Sequence, residues 1–72
     1  MLIIGERNAI VYENICLFSI LPKDEENNTV SIFAYMNNGM EVSLGTCKTE
    51  EEAQNVLKSI GSASKTAKVF NL

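Results

Sequence analysis

The sequence predicts an α+β fold: a small antiparallel sheet of four to five strands, arranged as a meander, with one C-terminal helix packed on one face. Three observations carry this. Five short apolar runs between residues 2 and 47 are separated by turn residues. The last two flank an Asn38-Gly39 pair, a strong short-range hairpin signal. Thr49 then opens a capped amphipathic segment with one apolar stripe.

The first run, Leu2 to Ile4, closes at Gly5 and the polar Glu6-Arg7-Asn8. Ala9 to Tyr12 follows at hairpin distance, and Glu13-Asn14 interrupts it. Ile15 to Leu21 is apolar on both alternating faces, which fits a covered strand or a short buried helix. Its length and the Pro22 stop favour a strand. Pro22 to Asn28 is polar and charged, and is expected to be a mobile loop.

Residues 30–37 and 40–47 form the predicted hairpin. A two-residue Asn-Gly loop calls for a type I′ turn, with positive φ at both central positions. That register opposes Tyr35 to Val42 and Phe33 to Leu44. Phe33, Tyr35, Val42 and Leu44 then share the core face. Ile32, Ala34 and Met36 lie in a row on the opposite face, beyond the helix's reach, and are the candidate interface. The competing expectation is that the N-terminal strands or the tail wrap over them. A slip of one residue would exchange the two faces.

The helix is predicted over about 50–60. Thr49 is the N-cap, and Glu52 completes a Thr-x-x-Glu capping box. Glu50, Glu51 and Glu52 stand at the positive end of the helix dipole. Ala53, Val56, Leu57 and Ile60 form the stripe, Lys58 lies in the last turn, and Gly61 is the expected C′ residue. A helix this short is marginal alone, so the stripe must pack on a sheet. Val69 to Leu72 is either a frayed end or a last short strand.

The 72 residues are expected to form one domain. A chain of this size is marginally stable, and such scaffolds often add a staple. Cys16 and Cys47 are too few for a secreted disulfide framework, and both sit in apolar runs as expected buried, reduced thiols. With no histidine, two cysteines do not complete a four-ligand zinc site. Self-association is what elimination leaves, so a homo-oligomer is expected. The start lacks the basic segment of a signal peptide, and no apolar run reaches membrane-spanning length, so a cytoplasmic location is expected, with no membrane partner.

Net charge is −3, which argues against nucleic acid, whose phosphates demand a basic face. The three glutamates at 50–52 point about 100° apart around a helix and cannot converge on one ion. Asp24-Glu25-Glu26 lacks the spaced ligands and glycine of a calcium loop. Neither Gly5 nor Gly39 belongs to a phosphate-cradling stretch. The cysteines lack a histidine base, so no catalytic residue, cofactor or metal is expected. The aromatics Tyr12, Phe18, Phe33, Tyr35 and Phe70 read as core rather than as a base-stacking platform.

The order of strand, charged turn, strands, hairpin and the segment Leu44-Gly45-Thr46-Cys47-Lys48-Thr49-Glu50-Glu51-Glu52-Ala53 resembles a set of short uncharacterised proteins of Gram-positive bacteria and their phages. The resemblance covers residues 1 to about 60. Cys47 stands where an aromatic is common in that set, and the tail after Ile60 departs from it. The resemblance implies a prophage or mobile-element setting and no catalytic residues. The expected function is a non-enzymatic interaction protein acting through protein contact and self-association. Two alternatives are a sponge that binds a nucleotide signal between subunits, using Arg7, Lys65 or Lys68, and a nucleic-acid-associated regulator.

Overall fold

The computed structural model describes residues 1–72 and is α+β. Strands β1 (Leu2–Ile4), β2 (Ala9–Val11), β3 (Ile15–Ile20), β4 (Val30–Met36) and β5 (Glu41–Cys47) precede helix α1 (Glu50–Ala63) and strand β6 (Val69–Asn71). They make two three-stranded sheets, in the orders β2-β1-β6 and β3-β4-β5, in place of one continuous meander. A single 3-10 turn, Tyr12–Asn14, carries the chain from one sheet to the other. The tail is a strand: β6 lies parallel to β1, with the Leu2 amide donating to the Lys68 carbonyl and the Leu72 amide to the Ile4 carbonyl. Parallel neighbours require a long crossover, and here the rest of the chain supplies it.

The β4–β5 hairpin keeps its place but not its predicted register. Tyr35 opposes Glu41 and Ala34 opposes Val42, one residue away from the type I′ pairing. The connection has three residues, Asn37-Asn38-Gly39. The Met36 amide donates to the Met40 carbonyl at 2.8 Å, and the Gly39 amide to the Met36 carbonyl at 3.0 Å. Only Gly39 takes a positive φ, at 89°, so the left-handed position falls on the glycine alone. Asn38 instead accepts the Met40 amide with its side chain.

That shift exchanges the faces of β4, while Val42 and Leu44 of β5 stay on the core side as expected. Val30, Ile32 and Ala34 are buried, with Leu44, Ala53 and Ile60, in one core cluster that also contains Ile3 and Ile10. Phe33 and Tyr35 lie on the outer face, only half-buried. The cause is legible across three strands. Ser19 of β3 opposes Phe33, Ser43 of β5 opposes Phe33 from the other side, and Ser31 pairs with Thr46. Turning that face inward would bury these hydroxyls without water, at a cost of about 1–3 kcal/mol for each one left unpaired. The inward face carries Phe18, Ile20, Val30, Ile32, Ala34 and Val42, with no polar group to satisfy.

A bulge in β5 keeps the alternation in step. Ser43 opposes Phe33 and Gly45 opposes Ile32, so Leu44 is the extra residue. Leu44 and Gly45 are both buried. The N-cap forms as predicted, Thr49 Oγ1 accepting the Glu52 amide at 3.1 Å, but the return arm of the box falls one residue earlier, Glu52 Oε2 accepting the Lys48 amide at 3.2 Å. Of the stripe, Ala53 and Ile60 are buried and Val56 and Leu57 half-buried. The helix does not stop before Gly61 but runs to Ala63. The Ser64 amide donates to the Ile60 carbonyl, and the Ser64 hydroxyl to the Gly61 carbonyl. Gly61 keeps helical φ and costs that turn about 1 kcal/mol of propensity relative to alanine.

Ile32→Ala should lower stability by about 2–5 kcal/mol, the usual cost of emptying a fully buried aliphatic site. Phe33→Ala should cost less, although it removes more carbon. Urea unfolding of both variants checks the register, and the reverse order would restore the type I′ face.

Candidate interaction surface

The residues singled out from sequence as an interface do not form one. Ile32 and Ala34 are fully buried and Met36 is half-buried, all inside the chain's own core. The error is the one-residue register, which places the inward row outward.

The exposed apolar surface lies on the other sheet. Leu2 pairs with Val11 on one side and Val69 on the other, and Ile4 lies two residues along β1 on the same face. Their neighbours Ile3 and Ile10 point into the core. Leu2 and Ile4 are each 37% exposed, Val11 43% and Val69 47%. No charged residue belongs to these three strands. Four large aliphatic side chains on one uncharged sheet face form a contiguous patch rather than scattered exposed residues. Each strand is three residues long, too short for strand patterning in sequence to reveal which side faces water. The parallel β1–β6 pairing, which brings Val69 beside Leu2, joins residues 67 positions apart and leaves no local signal.

The β1–β2 turn builds the second feature. The Glu6 amide donates to the Leu44 carbonyl at 2.9 Å, the Asn8 side-chain amide donates to the Ser43 carbonyl at 2.8 Å, and Glu6 Oε1 accepts the Thr46 amide at 3.1 Å. The turn thus satisfies outward backbone groups of β5, the edge strand of its sheet. Beside it lies a polar cavity of about 360 Å³, lined by Glu6, Arg7, Asn8 and residues 43–46. Asn8 Oδ1 is buried there without a hydrogen-bond partner. Of the cations considered for a nucleotide, Arg7 lines this cavity, whereas Lys65 and Lys68 are exposed after the helix and line no cavity.

Elsewhere the polar clusters serve the backbone. Glu50, Glu51 and Glu52 are exposed in the first helical turn. Asp24 accepts the Glu26 amide and the Asn27 side-chain amide, and bridges to Thr29, so the acidic segment is a hydrogen-bonded turn closed by Asn28 at φ 57°. The N-terminal ammonium donates to both Glu13 carboxylate oxygens, at 2.7 and 3.0 Å. That bond, with a backbone one, holds the Glu13 carboxyl below its usual range. No three His, Cys, Asp or Glu side chains gather as metal ligands. No helix is long and apolar enough to cross a membrane.

Both cysteines are free. Cys16 is not buried as expected. It is the extra residue of a second bulge, where β3 passes from the Ile15–Met36 pair to the Leu17–Tyr35 pair, and it is exposed. Cys47 is half-buried, and desolvation pushes its thiol pKa up, with Glu52 and Glu6 adding to the rise.

Comparison with protein-family models, with curated proteins and with solved structures gives no match.

The turn-to-bulge contact makes a graded prediction. A Cβ on Gly5 would stand 2.6 Å from the Leu44 carbonyl oxygen, which is backbone and cannot move aside. Gly5→Ala should therefore cost about 1–3 kcal/mol. A Cβ on Gly45 would meet the Glu6 side chain at 3.1 Å. Glu6 can swing away, so Gly45→Ala should cost about 1 kcal/mol, one exposed hydrogen bond. Thermal unfolding of the two variants measures the ranking, and equal costs would mean that the turn is not held against the bulge.

Proposed function

We propose that this protein is a non-enzymatic interaction module that works by protein–protein contact and self-association, an accessory protein of the phage or mobile-element kind. The observation that supports this reading is the uncharged aliphatic face of Leu2, Ile4, Val11 and Val69, left open to water on a sheet whose other side is core. A face of this kind gains about 25 cal/mol for each square ångström of apolar area that a partner covers. It offers no group that could act as acid, base or nucleophile on a substrate. The second reading is a nucleotide-binding sponge, supported by Arg7 at the polar cavity and the unpartnered Asn8 Oδ1 beside it.

Light scattering at tens of micromolar protein should give at least twice the monomer mass, and a clean monomer removes self-association. Affinity capture from a bacterial lysate should retain a discrete protein that the V11K/V69K variant does not hold. Both sites are exposed, so that variant should keep the parent's circular dichroism. Capture unaffected by the two lysines would take the contact away from this face. A cyclic dinucleotide is the probe for the second reading: it should leave the melting temperature unchanged if contact is the function, whereas a shift lost in Arg7→Ala would favour the sponge.

A further inference from the structure

Two sheets have four edges, and they are not equally protected. The edge of β5 is occupied by the Gly5–Asn8 turn, through the three hydrogen bonds to Ser43, Leu44 and Thr46. β2 and β6 are three residues each, too short to template a long pairing. β3 has six residues, Ile15–Ile20, with no charge and no proline among them. No other element of the chain pairs with its outer side. Between the Cys16 bulge and Pro22 it therefore lacks the short length, the edge charge and the covering segment by which exposed edges are normally kept from pairing.

The hydrogen bond from the Leu21 amide to the Ser31 carbonyl fixes the phase of this edge. In an antiparallel ladder, alternate residues direct both backbone groups to the same neighbour. Leu17, Ser19 and Leu21 therefore address β4, while Phe18 and Ile20 direct their N–H and C=O outward. The edge also has two built stops. Cys16 is bulged at one end, and Pro22, which has no N–H to donate, falls on the outward phase at the other.

We propose that the β3 edge is the seam of a homodimer, with β3 pairing antiparallel to β3 of a second copy and the two-fold axis passing at Ser19. This specifies the self-association proposed above and rests on it. In that register Phe18 faces the partner's Ile20 and Ile20 faces the partner's Phe18. All four outward backbone groups are then paired on each copy, and the bulge and the proline lie just outside the ladder. On the outer face, Leu17 faces the partner's Leu21 and Leu21 the partner's Leu17. These two are the exposed aliphatic side chains that β3 and its end leave in water, at 50% and 39%. A groove of about 290 Å³, lined by Tyr12, Ile15, Cys16, Leu17 and Phe18 with Glu13 at its end, lies on the half of the edge where the partner's Leu21 and Pro22 arrive. A segment that is self-complementary about one residue is what an isologous two-fold contact requires, and no like charges meet across it. The two three-stranded sheets become one of six, and the Leu2/Ile4/Val11/Val69 face stays open on each copy.

The test is a charge swap across the seam. L17K/L21K places like charges opposite each other and should halve the mass seen by light scattering. L17K/L21E places opposite charges at the same positions and should restore the dimer, which a merely misfolded variant would not do. In a C16S background, Ser19→Cys should form a covalent dimer on mild oxidation. The two cysteines would oppose each other as a non-hydrogen-bonded pair, with Cα atoms about 4.5 Å apart. Mass spectrometry of the linked peptide identifies the bond. In the parent protein, hydrogen exchange should slow at the Phe18 and Ile20 amides, and speed up in L17K/L21K. A dimer that L17K/L21K leaves intact and V11K/V69K dissolves would overturn the seam while leaving self-association standing, moved to the aliphatic face. A parent monomer at tens of micromolar would overturn both.

Discussion

The register of the β4–β5 hairpin is the constraint on which the rest of the molecule depends. Gly39 in the left-handed region closes a three-residue connection and sets Ala34 opposite Val42. From that pairing follow the inward row Val30, Ile32 and Ala34, the burial of Leu44, and the face on which α1 lies. In a period-two structure no intermediate solution exists: a side chain is on one face or the other. The aliphatic row wins because it can be dried completely, whereas the aromatic row shares its face with Ser19, Ser31, Ser43 and Thr46. The aromatic rings contain more carbon, but the hydroxyls beside them decide.

The link between the two sheets lies along the bulged outer edge of β5. β5 is an edge strand, so backbone groups of Ser43, Leu44 and Thr46 face outward beside the bulge without ladder partners. The Gly5–Asn8 turn takes them up, and Gly5 is needed there because a Cβ would strike the Leu44 carbonyl. One turn thus protects one edge of the larger sheet and holds the smaller sheet in place. The opposite edge receives no such cover. The asymmetry between β5 and β3, rather than the composition of either strand, is what turns an edge into a candidate seam.

The two exposed features suit different kinds of contact. A strand edge recognises backbone, and its specificity comes from how side chains repeat about the pairing axis. An aliphatic face recognises shape and apolar area and has little directional chemistry. The one thiol with a shifted pKa, Cys47, is moved away from the thiolate by desolvation and by carboxylates.

The sequence by itself determined the α+β class, the existence and approximate bounds of the first five strands, and the start of the helix at Thr49. These rest on local chemistry: a hydroxyl that accepts the Glu52 amide, apolar runs of strand length, and turn residues between them. It did not determine which face of the hairpin is core. Asn38-Gly39 is compatible with a two-residue and a three-residue connection, and the choice was made by hydroxyls on β3 and β5 that only the third strand brings alongside. Nor did it determine where the helix stops, because packing of Ile60 holds the helix past a glycine that would end it in isolation. The candidate interface Ile32, Ala34 and Met36 was misplaced for the same reason. The aliphatic face that replaces it joins β1, β2 and β6, strands too short to declare their orientation until tertiary pairing has set the two ends of the chain side by side.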